Sequence, residues 1–330
     1  MNFVLMRNKS NTRNPIRKAD GYKVTNWAEY NSSLKRRGSI TLWLSEDVVE
    51  GWRHKEQGEK QQGGQYKYSD SCIEVCCMIR KVYRLALRQT EGLVSSIIGL
   101  MKLNMGVPHY TVICRRSKTL QIETVLCKRI DQGEPLHIVM DSTGLKVYGE
   151  GEWKVRQHGY SKHRTWRKIH IALDPKDKVI HAAEMTSNGV DDAAMVKPIL
   201  EKIKSTVKKF GGDGAYDKRK VYDTLEKQKI RAIIPPQKNA KIERHGNCKG
   251  KPRPRDKAIR YIRTHGRKKW KNKSQYHKRS LAETTMFRYK TILGDQLKSR
   301  TFDRQCVEAL LSCKILNIMT ECGMPKTVKI

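Results

Sequence analysis

Between residues 137 and 236 the apolar residues change period in an order that few architectures accommodate. The run HIVMDSTGLKVYG (137–149) is rich in strand formers. WRKIHIALD (166–174) alternates polar and apolar residues, and KVIHAAEMT (178–186) does so less strictly. The turn residues Pro175, Lys176 and Asp177 join these two runs into a hairpin. A helix follows near Asp192, or begins at Pro198 with that proline in its first turn, and carries Val196, Ile199, Leu200 and Ile203 inward. Next come a strand ending at GGDGAYD (211–217), a helix KRKVYDTLEKQ (218–228) and a strand RAIIPP (231–236). Three strands in succession, then αβαβ, predict an α/β fold with a mixed sheet and helices on both faces. A basic stretch at 237–275 interrupts the pattern. A helix around Glu283 and an apolar one, VEALLSCKILNIM (307–319), complete it.

Upstream the reading is less regular. Residues 1–65 are polar, with the basic cluster SLKRRGS (33–39) and the Gly/Gln-rich EQGEKQQGGQ, and read as a loose basic arm and linker. Residues 66–130 read as helical. Ser71 with Glu74 has capping-box spacing, a second helix starts at Thr90, and a third follows Pro108 and carries Arg115 and Arg116. Three short helices with a basic last one fit a helix-turn-helix-like DNA-binding region as well as a plain packing unit. Residues 131–330 form the remaining domain.

The net charge of +35 over 330 residues selects a polyanionic partner. Residues 236–290 alone hold 19 Lys and Arg against 3 Asp and Glu, with Tyr261, Trp270 and Tyr276 interleaved. Lys268, Lys269 and Trp270 are the expected DNA contacts in this block. The apolar run LVSSIIGLMKL (93–103) is too short and broken to span a bilayer, so no membrane partner is expected. Nine cysteines without a CxxC pair read as free thiols in a reducing compartment, which makes a cytoplasmic protein the expectation.

Three acids stand at the edges of the predicted elements: Asp141 on the first strand, Asp213 at the end of the fourth, and Glu283 on a late helix. If they converge they repel one another unless cations bridge them, and hard oxygen ligands suit Mg²⁺ or Mn²⁺. Each also has a plain role. Asp141 could cap a turn, Asp213 lies in ordinary Gly-Asp-Gly turn chemistry, and Glu283 could pair with Arg279. Spacing alone leaves these alternatives open. His170 and His181 read as structural residues, Trp153 and Trp166 as packing residues, and Asp217 as the cap of the helix that follows it. Ser142 has no evident histidine partner.

The stretch YHKRSLAETTMFRYK (276–290) adds a constraint. Tyr276, Arg279, Glu283 and Lys290 share one face if the segment is helical. Arg279 precedes Glu283 by four residues, the less favourable orientation for helix stability. The spacing Tyr276-x2-Arg279-x3-Glu283-x6-Lys290 resembles the Y-R-E-K signature of DDE transposases of bacterial insertion sequences in the IS4/IS5 group. VMDSTGLKVYGEGEWK around Asp141, GDGAYD around Asp213, PPQKNA (235–240), RRGSITLW (36–43), YSD (68–70) and LRQTEG (87–92) agree in order. These are most similar to the IS5-family branch that includes the insertion sequence of the kanamycin-resistance transposon.

The resemblance implies an RNase H-like catalytic domain in which Asp141, Asp213 and Glu283 hold two Mg²⁺ or Mn²⁺ ions. It implies that Arg279 and Lys290 contact DNA phosphates and that Tyr276 stacks on or positions the element's end. The implied activity is binding of terminal inverted repeats, cleavage at the ends and transfer of the 3′-OH to target DNA, by a homodimer or larger assembly at the bacterial nucleoid. The competing readings are a non-catalytic transposase-derived DNA-binding regulator, an RNase H-like nuclease without strand transfer, and an RNA-binding structural protein. The last accounts for the charge but not for the spaced acids.

Overall fold

The computed structural model describes residues 21–54, 66–124, 135–147, 166–244 and 252–329. The first described elements are β1 (Tyr22–Val24), α1 (Trp27–Arg37) and α2 (Glu46–Glu50). Three helices follow, α3 (Asp70–Val82), α4 (Leu87–Leu100) and α5 (Tyr110–Arg116). The sheet region runs β2 (Leu136–Val147), β3 (Trp166–Leu173), β4 (Ile180–Ser187), α6 (Val196–Lys202), β5 (Val207–Gly211), α7 (Arg219–Lys227) and β6 (Arg231–Ile233). Last come α8 (Pro254–Ser274), α9 (Ser280–Arg288), β7 (Gln296–Leu297), α10 (Phe302–Glu321) and β8 (Thr327–Lys329).

The main sheet has the order β4-β3-β2-β5-β6, and β7 joins the far end of β2. β3 is antiparallel to both neighbours, while β5, β6 and β7 are parallel to the strands they pair with. The sheet is mixed, as the element order predicts, and its strand order and directions agree with the RNase H-like domain that the resemblance implies. The parallel pair β2–β5 requires a crossover connection, which passes through the β3–β4 hairpin and α6.

Helices cover both faces because β2 alternates. Ile138 and Met140 pack with Val196 and Ile199 of α6 and Val221 and Leu225 of α7. Val139 and Leu145 pack on the other side with Ala282 and Met286 of α9 and Ile315 and Met319 of α10. The C-terminal helix α10 is buried on most of its circumference, lying between α3 and β4. Its Asn317 secures the strand: Oδ1 accepts the Ile180 N–H at 2.8 Å, and Nδ2 donates to the Ile180 and Thr124 carbonyls. No helix among the described residues is long and apolar enough to cross a membrane.

The N-terminal region differs from its expectation. Residues 21–54, read as a loose arm, form helices and turns, and Trp43 and Trp52 are each 1% exposed. These rings share one apolar cluster with α3 and with β2–β4. Their polar flanks mask them in the sequence; burial of two indoles against α3 outweighs that composition. The Gly/Gln-rich segment lies outside the described residues. The cap of α3 is Ser69, whose Oγ accepts the Cys72 N–H at 3.1 Å, rather than Ser71. The second helix starts at Leu87, so Thr90 lies inside it. Cys72, Cys76, Cys77 and Cys313 are buried free thiols, and burial pushes Cys77 up to about 12. Cys127 and Cys248, like Trp153, lie outside the described residues.

Candidate active site

The site is set by the register of two parallel strands. Val139 of β2 partners Gly211 of β5. Asp141 lies two residues beyond the first and Asp213 two beyond the second. Asp213 therefore lies just past the end of β5, close enough to Asp141 on the adjacent strand for its negative charge to act on that carboxyl. Asp213 follows the end of β5 and caps a short 3-10 turn, Gly214–Tyr216, where its Oδ1 accepts the Ala215 N–H at 2.9 Å. The Gly-Asp-Gly turn chemistry and the placement near Asp141 therefore coexist.

Glu283 comes from the first turn of α9, which packs on the β2 face that carries Asp141. Arg279 joins the two elements. Its Nη1 lies 3.5 Å from Asp141 Oδ2, and its Nη2 donates to Glu283 Oε1. This explains the unfavourable Arg-before-Glu order: Arg279 is placed to reach a carboxylate 138 residues away as well as its helical neighbour. Burial raises the Asp141 carboxyl above the usual aspartate range. The Ser142 N–H and Arg279 act against that shift, while the negative charges of Asp213 and Glu283 add to it.

Tyr276 completes the group. Burial raises its hydroxyl, and Arg279, Asp213 and Glu283 all act on it. Its ring lies 5.9 Å from the Arg279 guanidinium carbon. Tyr276–Arg279 is a 3-10 turn rather than part of the α-helix, and Lys290 stands, partly exposed, in the π turn Tyr289–Leu293 that ends it. The four signature residues thus lie on three successive helical types, not on one continuous helix.

Two expected DNA contacts are buried. Arg116 is 8% exposed and donates to Asp70 Oδ1 at 2.5 Å and to the Tyr68 carbonyl, so its guanidinium fastens α5 to the start of α3. Arg115 beside it is exposed. A recognition helix presents its basic side chains outward; α5 does so with one of the two. Trp270 is also 8% exposed and packs against Tyr276, 5.9 Å between ring centroids, which removes its face from any base. Lys268 and Lys269 are exposed on α8, beyond its break at Gly266 (φ 82°).

The sequence did not disclose what anchors this basic helix. Asp217, read as a helix cap, is buried at the end of the sheet. It accepts from Arg255 Nε at 2.8 Å, the Tyr222 hydroxyl at 2.9 Å and the Gln237 N–H at 2.9 Å. Lys218 takes the cap position instead. Asp192 was also missed. It accepts from Ser142 Oγ at 2.9 Å and lies 3.2 Å from Lys168 Nζ and 3.5 Å from His170 Nδ1. Burial holds His170 down to about 4, so it stays neutral near pH 7. His170 stands opposite Ser142 in the β2–β3 ladder, but the Ser142 hydroxyl donates to Asp192, and among the described residues no imidazole is hydrogen-bonded to it. No local pattern announces either pairing, because the partners come from separate elements.

Three carboxylates without sulfur or imidazole form a donor set suited to a hard divalent ion. The Arg279 guanidinium supplies positive charge between two of them. Among the described residues their ligand atoms do not all lie within 4.8 Å of one another; the one such group is Asp174 and Asp177 of the β3–β4 turn with His181 at the start of β4.

Gly212 sits between β5 and Asp213. A Cβ there would lie 2.7 Å from Cδ2 and 2.9 Å from Cγ of Tyr216, whose ring is 1% exposed. Gly212→Ala is expected to destabilise the fold by about 1–3 kcal/mol, measured by urea unfolding. An unchanged midpoint would show that the ring yields.

Comparison with known families gives two matches, each to a family described as Transposase DDE domain, over residues 35–150 and over residues 132–318. The second spans more than half of the chain. Among solved structures, a piggyBac transposase synaptic complex with hairpin DNA aligns at 10% identity and a TM-score of 0.39, covering 91% of this chain and 77% of that one.

Proposed function

We propose, for a chain that belongs to the transposase DDE-domain family, that it cuts DNA at the ends of an insertion sequence and joins the freed 3′-OH to target DNA. The observation that supports this reading best is that Arg279 contacts both Asp141 and Glu283, while Asp213 follows the strand that pairs with the one carrying Asp141. Members of this family act on DNA, generally with divalent metal. The finer assignment to the IS5 branch rests on RRGSITLW (36–43), YSD (68–70) and LRQTEG (87–92), whereas the signature around Glu283 belongs to the wider IS4/IS5 group.

On this reading Asp141, Asp213 and Glu283 hold two Mg²⁺ or Mn²⁺ ions. Bound there, such ions supply Lewis acidity for in-line phosphoryl transfer. Arg279 holds Asp141 and Glu283 together until a DNA phosphate competes for its guanidinium, and the released carboxylates are then available as ligands. Lys290 contacts a neighbouring phosphate, and Tyr276 positions the end nucleotide. Lys268, Lys269 and Arg115 extend the basic surface along the duplex. Water is the nucleophile for cleavage and the 3′-OH for joining, so no protein nucleophile is needed. Recognition of two terminal inverted repeats together requires at least a dimer on DNA.

The test is a labelled fragment carrying one end of the DNA that flanks the gene, incubated with protein and Mg²⁺ or Mn²⁺. Nicking at the end that EDTA abolishes is the expected result. No end-specific nick, or equal nicking by Asp213→Asn, overturns the reading and favours a non-catalytic DNA-binding regulator.

A further inference from the structure

A cavity rimmed by positively charged side chains lies away from the three acids. A pocket of about 310 Å³ opens where α3 and α10 meet the segment leading into β7. That volume is at the lower end of the range for small-molecule sites, about 300–1,000 Å³. Its back wall is apolar, formed by Cys77, Leu293, Val307 and Leu311. Around it stand Arg80, Lys81, Arg84, Lys298 and Arg304.

Only two carboxylates line the same space, and both are engaged. Glu308 is paired with Lys81 at 3.0 Å, and Asp295 with Lys146 at 3.3 Å. Arg80, Arg84, Lys298 and Arg304 have no carboxylate partner among the described residues. Three of them are held by backbone carbonyls. Arg84 Nη2 donates to Ile292 at 3.3 Å, Lys298 Nζ to Arg84 at 3.0 Å and Arg304 Nε to Cys114 at 3.1 Å.

Each such contact uses one donor of a group that has three or five, so the side chains are oriented and most of their N–H groups remain available. Arg80 Nε is buried with no hydrogen-bond partner. Burial lowers Lys298, and the positive charges of Arg80, Lys81 and Arg84 lower it further against Glu308. Like charges are thus crowded around the cavity in excess of its two carboxylates.

The geometry points to a binding site for a phosphate group on a nucleotide-sized ligand, with the phosphate on Arg80, Arg84 and Lys298 and the nucleoside against the apolar wall. Planar guanidinium groups match phosphate oxygens, and a fixed cluster of them binds oxyanions more tightly than mobile surface lysines do. The ligand is either a free nucleotide or the terminal nucleotide of a DNA strand; both present the same chemistry. The site depends on neither the proposed reaction nor its metal ions.

The test is calorimetric titration of the full chain, in EDTA and at fixed ionic strength, with AMP and separately with a short 5′-phosphorylated oligonucleotide and its unphosphorylated form. Three proteins are compared: the wild type, the double variant Arg84→Gln/Lys298→Gln, and Lys197→Gln as an exposed control outside the cavity. Arg84 and Lys298 are exposed, and circular dichroism confirms that the variants are folded. Binding of AMP, or a preference for the phosphorylated oligonucleotide, weakens at least about tenfold in the double variant and is unchanged in the control. AMP binding identifies a free nucleotide as the ligand; a phosphate-dependent oligonucleotide preference without AMP binding identifies a DNA end. Equal binding by the double variant and the control, or no binding of AMP and no preference for the 5′-phosphate, overturns the proposal.

Discussion

Asp141→Asn is expected to lower end cleavage by about 10²–10³-fold or more while raising the thermal stability of the metal-free protein. The rate loss follows from removing one of three carboxylates that would hold the ions. The stability gain follows from its surroundings. Burial, with Asp213 and Glu283 acting in the same direction, holds the Asp141 carboxyl above its ordinary value. A carboxyl raised in this way favours the fold only while protonated. Its contribution is present below about pH 3.9 and is lost as pH rises through the folded value. At pH 7 the ionised group therefore works against folding, and asparagine removes that cost without changing shape. Thermal unfolding at pH 7 in EDTA, beside the cleavage assay, measures both effects. A lower Tm with cleavage intact would assign Asp141 a purely structural role.

The second large effect concerns the joint between the N-terminal helices and the sheet domain. Lys81 of α3 and Glu308 of α10 meet at 3.0 Å with side chains only 10% and 9% exposed. Glu308 also accepts the backbone N–H groups of Lys298 and Ser299. Burial alone would raise this carboxyl, but Lys81 and these donors more than offset it, and it titrates below the ordinary glutamate range. Its stabilising contribution is thus present above about pH 4.3 and lost as pH falls through the folded value.

Lys81→Met leaves a buried carboxylate without its counter-charge and is expected to cost about 3–5 kcal/mol near pH 7. The loss should shrink toward pH 4, where Glu308 of the variant protonates. Adding Glu308→Leu should recover part of it. Urea unfolding across that pH range checks the prediction. A loss that does not vary with pH would mean that packing, not charge, accounts for it.

The two effects lie on different parts of what the sequence revealed. Asp141 could be named in advance because it lies in a run rich in strand formers and is one of three acids at the edges of the predicted elements. Glu283 stood out because it is isolated among cations. The order Arg279 before Glu283 signalled a role outside helix stability, and the contact with Asp141 supplies it. By contrast, Lys81 and Glu308 sit in ordinary helical patterns, and nothing near either residue indicates that they meet. Asp217 was misread for the same reason. Beside a helix start it resembles a cap, while its partner Arg255 lies 38 residues on.

What the sequence determined by itself is what neighbours within a few residues can set: the strand and helix periods from β2 to β6, the turn between β3 and β4, the basic block and the spacing within the Tyr276–Lys290 signature. These depend on local backbone geometry and the alternation of side chains along one element. The tertiary structure decided which side chains face one another. It paired the two strands that lead to Asp141 and Asp213, buried Arg116 and Trp270, packed Trp43 and Trp52 into the core, and joined Lys81 to Glu308. Burial and pairing depend on what is packed opposite an element, and that partner comes from a distant part of the chain.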